Sequence, residues 1–281
     1  MNTPFLAASF ALTAAACWGA GDFSGGLASR RSDPFRSVLL IYGIGLVALL
    51  LVVLIRAEPL PSAADMLWGA LAGLFGMVGI LFLFRGFAAG RMGIVAPVSG
   101  VLATAMPVIF NAFTVGLPGY MQLAGFAVAL VGIWLLSRPE RLGGRPAGLG
   151  LAILAGLGFG SFFITLDQVS QSATFWPLVA GRLACCTSMI LFALLTRRPL
   201  LIREAPWGLF TAAGLLDITG NVFFLLAIQN GRLDVSSVLG SLYPAITAIL
   251  ARLTIRERIT RLQVIGVSAA MLAIVLITLP T

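Results

Sequence analysis

The sequence predicts an all-α membrane protein of ten transmembrane helices, arranged as two inverted five-helix repeats around a central cavity. Three observations carry that expectation. Of the 281 residues, 59% are hydrophobic and only 10% charged, where a soluble domain carries about 25% charged residues. That leaves too little polar surface to cover a water-soluble globule. The apolar residues gather into ten stretches, each close to the roughly 20 residues needed to cross about 30 Å of hydrocarbon. Finally, the chain resembles itself at a constant offset of 141 residues.

Taken in order, the stretches run over about 5–27, 36–56, 64–85, 92–114, 119–137, 147–168, 174–196, 206–228, 233–254 and 260–279. Loop residues separate them: Ser32-Asp33-Pro34, Glu58-Pro59-Leu60-Pro61, Leu117-Pro118-Gly119, the segment from Arg138 to Pro146, and Arg197-Arg198-Pro199. Strands are not an option, because an open sheet edge in lipid leaves backbone groups unpaired. The first stretch has no basic residue before it and is too long for a signal peptide, so it reads as a retained helix. Small residues four apart (Gly21 and Gly25, Gly69 and Gly73, Gly156 and Gly160) suit helix–helix seams, where lipid supplies no hydrophobic drive and close backbone approach must hold the helices together.

All 18 basic residues are arginine, with no lysine or histidine. Fifteen fall in or beside the odd-numbered connections, Arg56 and Arg232 in even ones, and Arg182 within the seventh stretch. Cytoplasmic loops retain positive charge, so this bias places the odd connections in the cytoplasm and both termini outside. Scattered between apolar runs, the arginines form no basic face for nucleic acid.

The internal duplication pairs Gly19 with Gly160, Gly73 with Gly214, Gly79 with Gly220, Phe82 with Phe223, and Gln122 with Gln263, without a gap. It divides the chain into repeats 1–141 and 142–281. Five spans per repeat reverse the second copy relative to the membrane, and such repeats commonly hold a substrate site near the midplane.

Several chemistries are disfavoured. Cys17, Cys185 and Cys186 lie in apolar stretches with no metal-ligand spacing. With no histidine and no nucleophile beside an evident base, an enzyme is not expected. No glycine loop followed by lysine is present to hold ATP phosphates. Neither a metal nor a cofactor is therefore expected.

Charges deep in a span are expensive and mark candidate sites. Asp217 falls near the middle of the eighth stretch and Arg182 within the seventh. Counted from their shared connection, their depths differ by only about 5 Å. The two are either a buried ion pair or a coupling site, with Asp217 the group that exchanges a proton or contacts substrate. Asn221, four residues on, shares a helix face with Asp217. Trp18 and Asp22, one turn apart, offer an aromatic wall and a cation-binding carboxylate, or else an interfacial anchor. Phe82, Phe162, Phe163 and Tyr243 are candidate cavity aromatics, and Ser99, Ser237 and Ser241 are small enough for a cavity wall. Pro97, Pro107 and Pro244 remove backbone donors and are expected to bend their helices.

The stretch Ala227-Ile228-Gln229-Asn230-Gly231-Arg232-Leu233-Asp234-Val235-Ser236-Ser237-Val238-Leu239-Gly240-Ser241-Leu242-Tyr243-Pro244 resembles the second-repeat signature of EamA-type proteins in the drug/metabolite transporter superfamily. It continues through Arg256-Glu257-Arg258 and Gln263-Val264-Ile265-Gly266 in the expected order. Trp18-Gly19 and Gly160-Ser161 are similar to the openings of the two halves. The resemblance implies a basket of ten helices around a cavity in the cytoplasmic (inner) membrane. It also implies alternating-access movement of a small metabolite, such as an amino acid. A multidrug or cationic-compound proton antiporter, and a membrane-embedded lipid-handling protein or enzyme, are the alternatives. The expected partners are a small-molecule substrate, with or without protons, and the lipid bilayer, for a monomer or homodimer. Gly116-Leu117-Pro118-Gly119 departs from the Glu-Arg common in the family at that turn. Relatives generally keep their termini in the cytoplasm, opposite to the side the arginines indicate.

Overall fold

The computed structural model describes residues 3–29, 32–88, 92–136, 148–200, 206–255 and 261–278. The connections holding Arg30 and Arg31, Arg91, Arg138 to Pro146, Arg203, and Arg256-Glu257-Arg258 lie outside the described residues, as does the side chain of Gln263. The helices, in order, are α1 (Thr3–Ser29), α2 (Pro34–Arg56), α3 (Ala63–Ala88), α4 (Met92–Thr114), α5 (Tyr120–Leu136), α6 (Leu149–Leu166), α7 (Phe175–Leu195), α8 (Trp207–Asn230), α9 (Leu233–Gly240), α10 (Tyr243–Ile255) and α11 (Arg261–Thr278). Among the described residues there is no strand. Six helices, α1, α2, α3, α6, α7 and α8, are long and apolar enough to cross a membrane, and shorter apolar stretches run over Ser99–Thr114 and Tyr120–Gly132. Leu51, Leu54 and Ile55 on α2, like Phe113 and Leu195, are more than half exposed. So much uncovered apolar surface calls for lipid around it.

Polar groups at both ends of the bundle fix where helices begin. The Asp33 side chain accepts from the Arg36 amide, and Pro34 opens α2, where its missing N–H costs nothing. Ser62 and Asp65 form a capping box at the start of α3. Asp65 also accepts from the Ser170 amide at 2.7 Å, across the α6–α7 connection. Glu58, between α2 and α3, accepts the amides of Thr174, Phe175 and Trp176 and so caps α7 from another part of the chain. At the same end Arg232 holds Asp234 through two hydrogen bonds and donates to the Gly116 carbonyl at 3.0 Å. That arginine ties the α8–α9 turn to the α4–α5 turn.

Asp167 ends α6 near this cluster. Burial and the nearby Asp234 carboxylate raise its carboxyl from 3.8 to about 6. A raised acid binds protons more tightly when folded, so its contribution is full below 3.8 and is lost as pH rises towards 6. Asp167→Asn should therefore flatten the fall in stability between those values and raise stability at pH 7 by roughly 2–3 kcal/mol. Melting temperatures of both proteins at pH 4.5 and pH 7 check this.

The duplicated glycines explain the packing. Gly79 leaves room for the Phe159 ring, and its counterpart Gly220 leaves room for Trp18, itself the counterpart of Phe159. A Cβ at either glycine would come within 2.5 Å of the ring. Likewise, Gly19 seats α10 at Tyr243 and Ile246, and Gly160 seats α4 at Met106. At the scale of helices, α1 packs on α8 and α10, while their counterparts α6 and α3, and α6 and α4, pack in the same way; α5 packs on α11. The same contacts are thus made twice.

The ninth stretch departs from expectation. Instead of one helix over 233–254, the chain forms α9 and α10 with a turn at Ser241 and Leu242. Pro244 has no N–H to give the Gly240 carbonyl, and its ring crowds that carbonyl. Leu242 and Ala245 instead donate three residues back, to Leu239 and Leu242, the tighter 3₁₀ pattern. α4 continues as one helix past Pro97 and Pro107.

Candidate functional site

Near the middle of the bundle, α1, α2, α3, α4, α6, α7, α8 and α10 surround a cavity of about 740 Å³, counting space open to solvent. Glycines make the room. Gly69, Gly73 and Gly76 form one wall on α3, and Gly181 adds another on α7. Polar groups enter from five helices, with Tyr42 on α2. α1 contributes Trp18 and Asp22, one turn apart. α8 contributes Asp217 and Asn221, also one turn apart. α7 contributes Arg182, and α10 contributes Tyr243.

Trp18 is held in place from several sides. Its Nε1–H donates to Asn221 Oδ1 at 2.9 Å, which ties α1 to α8. The indole stacks on Phe163 at 5.8 Å between centroids and meets Phe224 at 5.3 Å and the edge of Phe162 at 6.4 Å. Such ring contacts add about 0.5–1.5 kcal/mol each beyond their buried area.

Arg182 and Asp217 form an ion pair, with the arginine 5% and the aspartate 21% exposed, so the carboxylate keeps more of the cavity surface. The guanidinium also lies 3.9 Å above the centre of the Tyr42 ring. In a low-dielectric interior, such a pair needs these extra contacts to offset its desolvation. Asp22 differs: among the described residues it has neither an ion pair nor a hydrogen bond, and the neighbouring charge acting on it is Asp217. The Tyr243 phenol lies in the field of Asp22, beside Ser99.

Of the twelve residues singled out from the sequence, the structure brings Trp18, Asp22, Phe162, Phe163, Arg182, Asp217, Asn221 and Tyr243 together at the cavity. The other four do not line it. Phe82 packs against the cluster that contains Leu83, Phe84 and Phe87, with the Arg85 guanidinium 5.6 Å from its ring. Ser99 is buried in the crossing of α4 with Gly156 on α6. Ser237 is buried and donates to the Leu233 carbonyl of its own helix at 2.7 Å. Ser241 is buried at the turn between α9 and α10. Tyr42 is a wall residue that sequence reasoning missed. The duplication held the signal, because α2 packs on α7 and Tyr42 directly follows Ile41, the counterpart of Arg182.

The polar groups of this cavity break the duplication that shapes it. Asp22 has Phe163 as its counterpart, Asp217 has Gly76, Asn221 has Ile80, and Arg182 has Ile41. The scaffold is repeated, while the charges are not.

Comparison with known proteins matches this architecture. The model of the EamA-like transporter family fits residues 5–138 and again 146–279. The chain is 26% identical over 247 residues to a protein named "Uncharacterized inner membrane transporter YedA" in Escherichia coli strain K12, covering 83% of this chain and 78% of that protein. Its counterpart in Escherichia coli O157:H7 matches equally. A solved crystal structure superposes with a TM-score of 0.75 at 19% identity, covering 96% of this chain and 95% of that one, and shows the same fold. Two matches that together take in nearly the whole sequence place this chain in the EamA-like transporter family, within the drug/metabolite transporter superfamily.

Proposed function

We propose that this protein is a secondary active transporter that moves a small metabolite across the cytoplasmic (inner) membrane by alternating access. In this reading, ten spans form two oppositely oriented repeats, 1–141 and 142–281, with α9 and α10 together making the ninth span. The observation that carries it is the cavity near the middle of the bundle, walled by helices of both repeats and bearing charges that the duplication does not require. Charged groups at such depth are retained for substrate or ion pathways. The arginine bias supports cytoplasmic odd connections and outward termini. An amino acid and a cationic compound are the two substrate classes between which the cavity must choose.

Counterflow in liposomes tests the proposal. Purified protein should give saturable, protein-dependent exchange of a labelled amino acid or organic amine against the same compound trapped inside. Exchange no faster than in empty liposomes across both classes would contradict transport, and conversion of the compound into a product would favour an enzyme.

A further inference from the structure

Resting on the transport reading, we propose that Asp22 binds the ammonium group of a small monocationic amine with an apolar or aromatic body. The argument begins with charge. Among the described residues, three charged side chains line the cavity: Asp22, Asp217 and Arg182. Arg182 is committed to Asp217 and to the Tyr42 ring face, which leaves one carboxylate without a counter-charge. The chain holds no lysine or histidine that could supply one. A carboxylate held in a span without a partner is strongly unfavourable, and a bound cation relieves that penalty.

The surroundings of Asp22 suit a cation that carries apolar bulk. Trp18 lies one turn away on the same helix face, fixed by Asn221 and by its stack on Phe163. Phe162, Phe163, Tyr42 and Ile80 complete an apolar wall around the same space. Aromatic rings attract ammonium groups through their faces, most strongly where water is excluded. With its oxygen taken by Trp18, Asn221 has its Nδ2 amide left to donate to an acceptor on the body of the amine.

The same inventory disfavours anions and zwitterions. A substrate carboxylate would meet two aspartates, and the one arginine in the cavity would have to release Asp217 to receive it. An amino acid satisfies Asp22 through its ammonium but carries a carboxylate that finds no free cation.

A charge series on one skeleton tests this. Phenethylammonium, phenylalanine and 3-phenylpropionate share a phenyl body and are respectively cationic, zwitterionic and anionic. Their binding to the detergent-purified full chain is measured by calorimetry. Phenethylammonium should bind the wild type at least about tenfold more tightly than either other compound, as expected for a charge-assisted contact. Asp22→Asn should remove that preference, whereas Asp22→Glu should retain much of it; melting curves report whether each variant is folded. If Asp22→Asn does not fold, the wild-type series and Asp22→Glu decide. Equal or tighter binding of phenylalanine or 3-phenylpropionate overturns the proposal, as do unchanged phenethylammonium binding in folded Asp22→Asn and no binding of any of the three. Counterflow separates the two levels. Exchange of phenylalanine without a preference for amines would leave a transporter standing and remove the cation site, while exchange of neither class would remove both.

Discussion

Arg182→Met lowers the stability of the purified protein by about 3–5 kcal/mol, because it leaves the Asp217 carboxylate buried without a partner. The double variant Arg182→Met, Asp217→Leu should recover most of the stability, since removing both charges removes the desolvation penalty as well. Thermal melting in detergent, followed through intrinsic fluorescence, reads both. Matched melting of wild type and Arg182→Met would show that the pair contributes nothing to the fold. Flux through a stable double variant then separates the two roles of Asp217. Retained exchange assigns it to structure, and lost exchange assigns it to transport.

The second large effect is at the α3–α7 seam. A Cβ at Gly73 would lie 2.4 Å from the Gly181 Cα and 2.5 Å from its carbonyl oxygen, so backbone and not a flexible side chain blocks it. Gly73→Val should destabilise by about 3 kcal/mol, at the upper end of overpacking penalties, and separate the helices that wall the cavity. Gly43 is the matched control, because nothing lies within 4 Å of where its Cβ would be. Gly43→Ala should be neutral or stabilise by up to about 1 kcal/mol through helix propensity. Expression and melting temperature of the two variants measure the difference. Equal behaviour would refute the seam.

Depth along the membrane normal was legible in the sequence, and direction around each helix axis was not. Long apolar stretches reveal where helices cross, and most of them meet helices close to their expected bounds. The chemistry of Pro244 also marks the place where the ninth stretch breaks, although a bend within one helix was expected there and not a full break. These helices are apolar on nearly every side, however, so no stripe says which face points inward. Ser237 and Ser241 sit at plausible depths, yet Ser237 bonds the backbone of its own helix, Ser241 is buried at the α9–α10 turn, and Phe82 faces a packed core. Trp18, Asp22, Asp217 and Asn221 were easier to place, because polar groups in a span must turn away from lipid. Glu58 escaped notice as a cap for α7 because its partners lie more than a hundred residues away in sequence. The duplication was the most informative signal left unused. Gly79 facing Phe159 and Gly220 facing Trp18 show that repeat counterparts predict contacts.

The central claim is that this cavity opens to each side of the membrane in turn. Its most direct measurement places a single cysteine at Asn221 or Ala72, in a chain whose three native cysteines are replaced by alanine. Labelling with a membrane-impermeant thiol reagent is then followed separately from either face of oriented vesicles. Modification of the same position from both faces, with substrate shifting the balance between them, is the predicted result. Labelling from one face alone under every condition, with or without substrate, would contradict it.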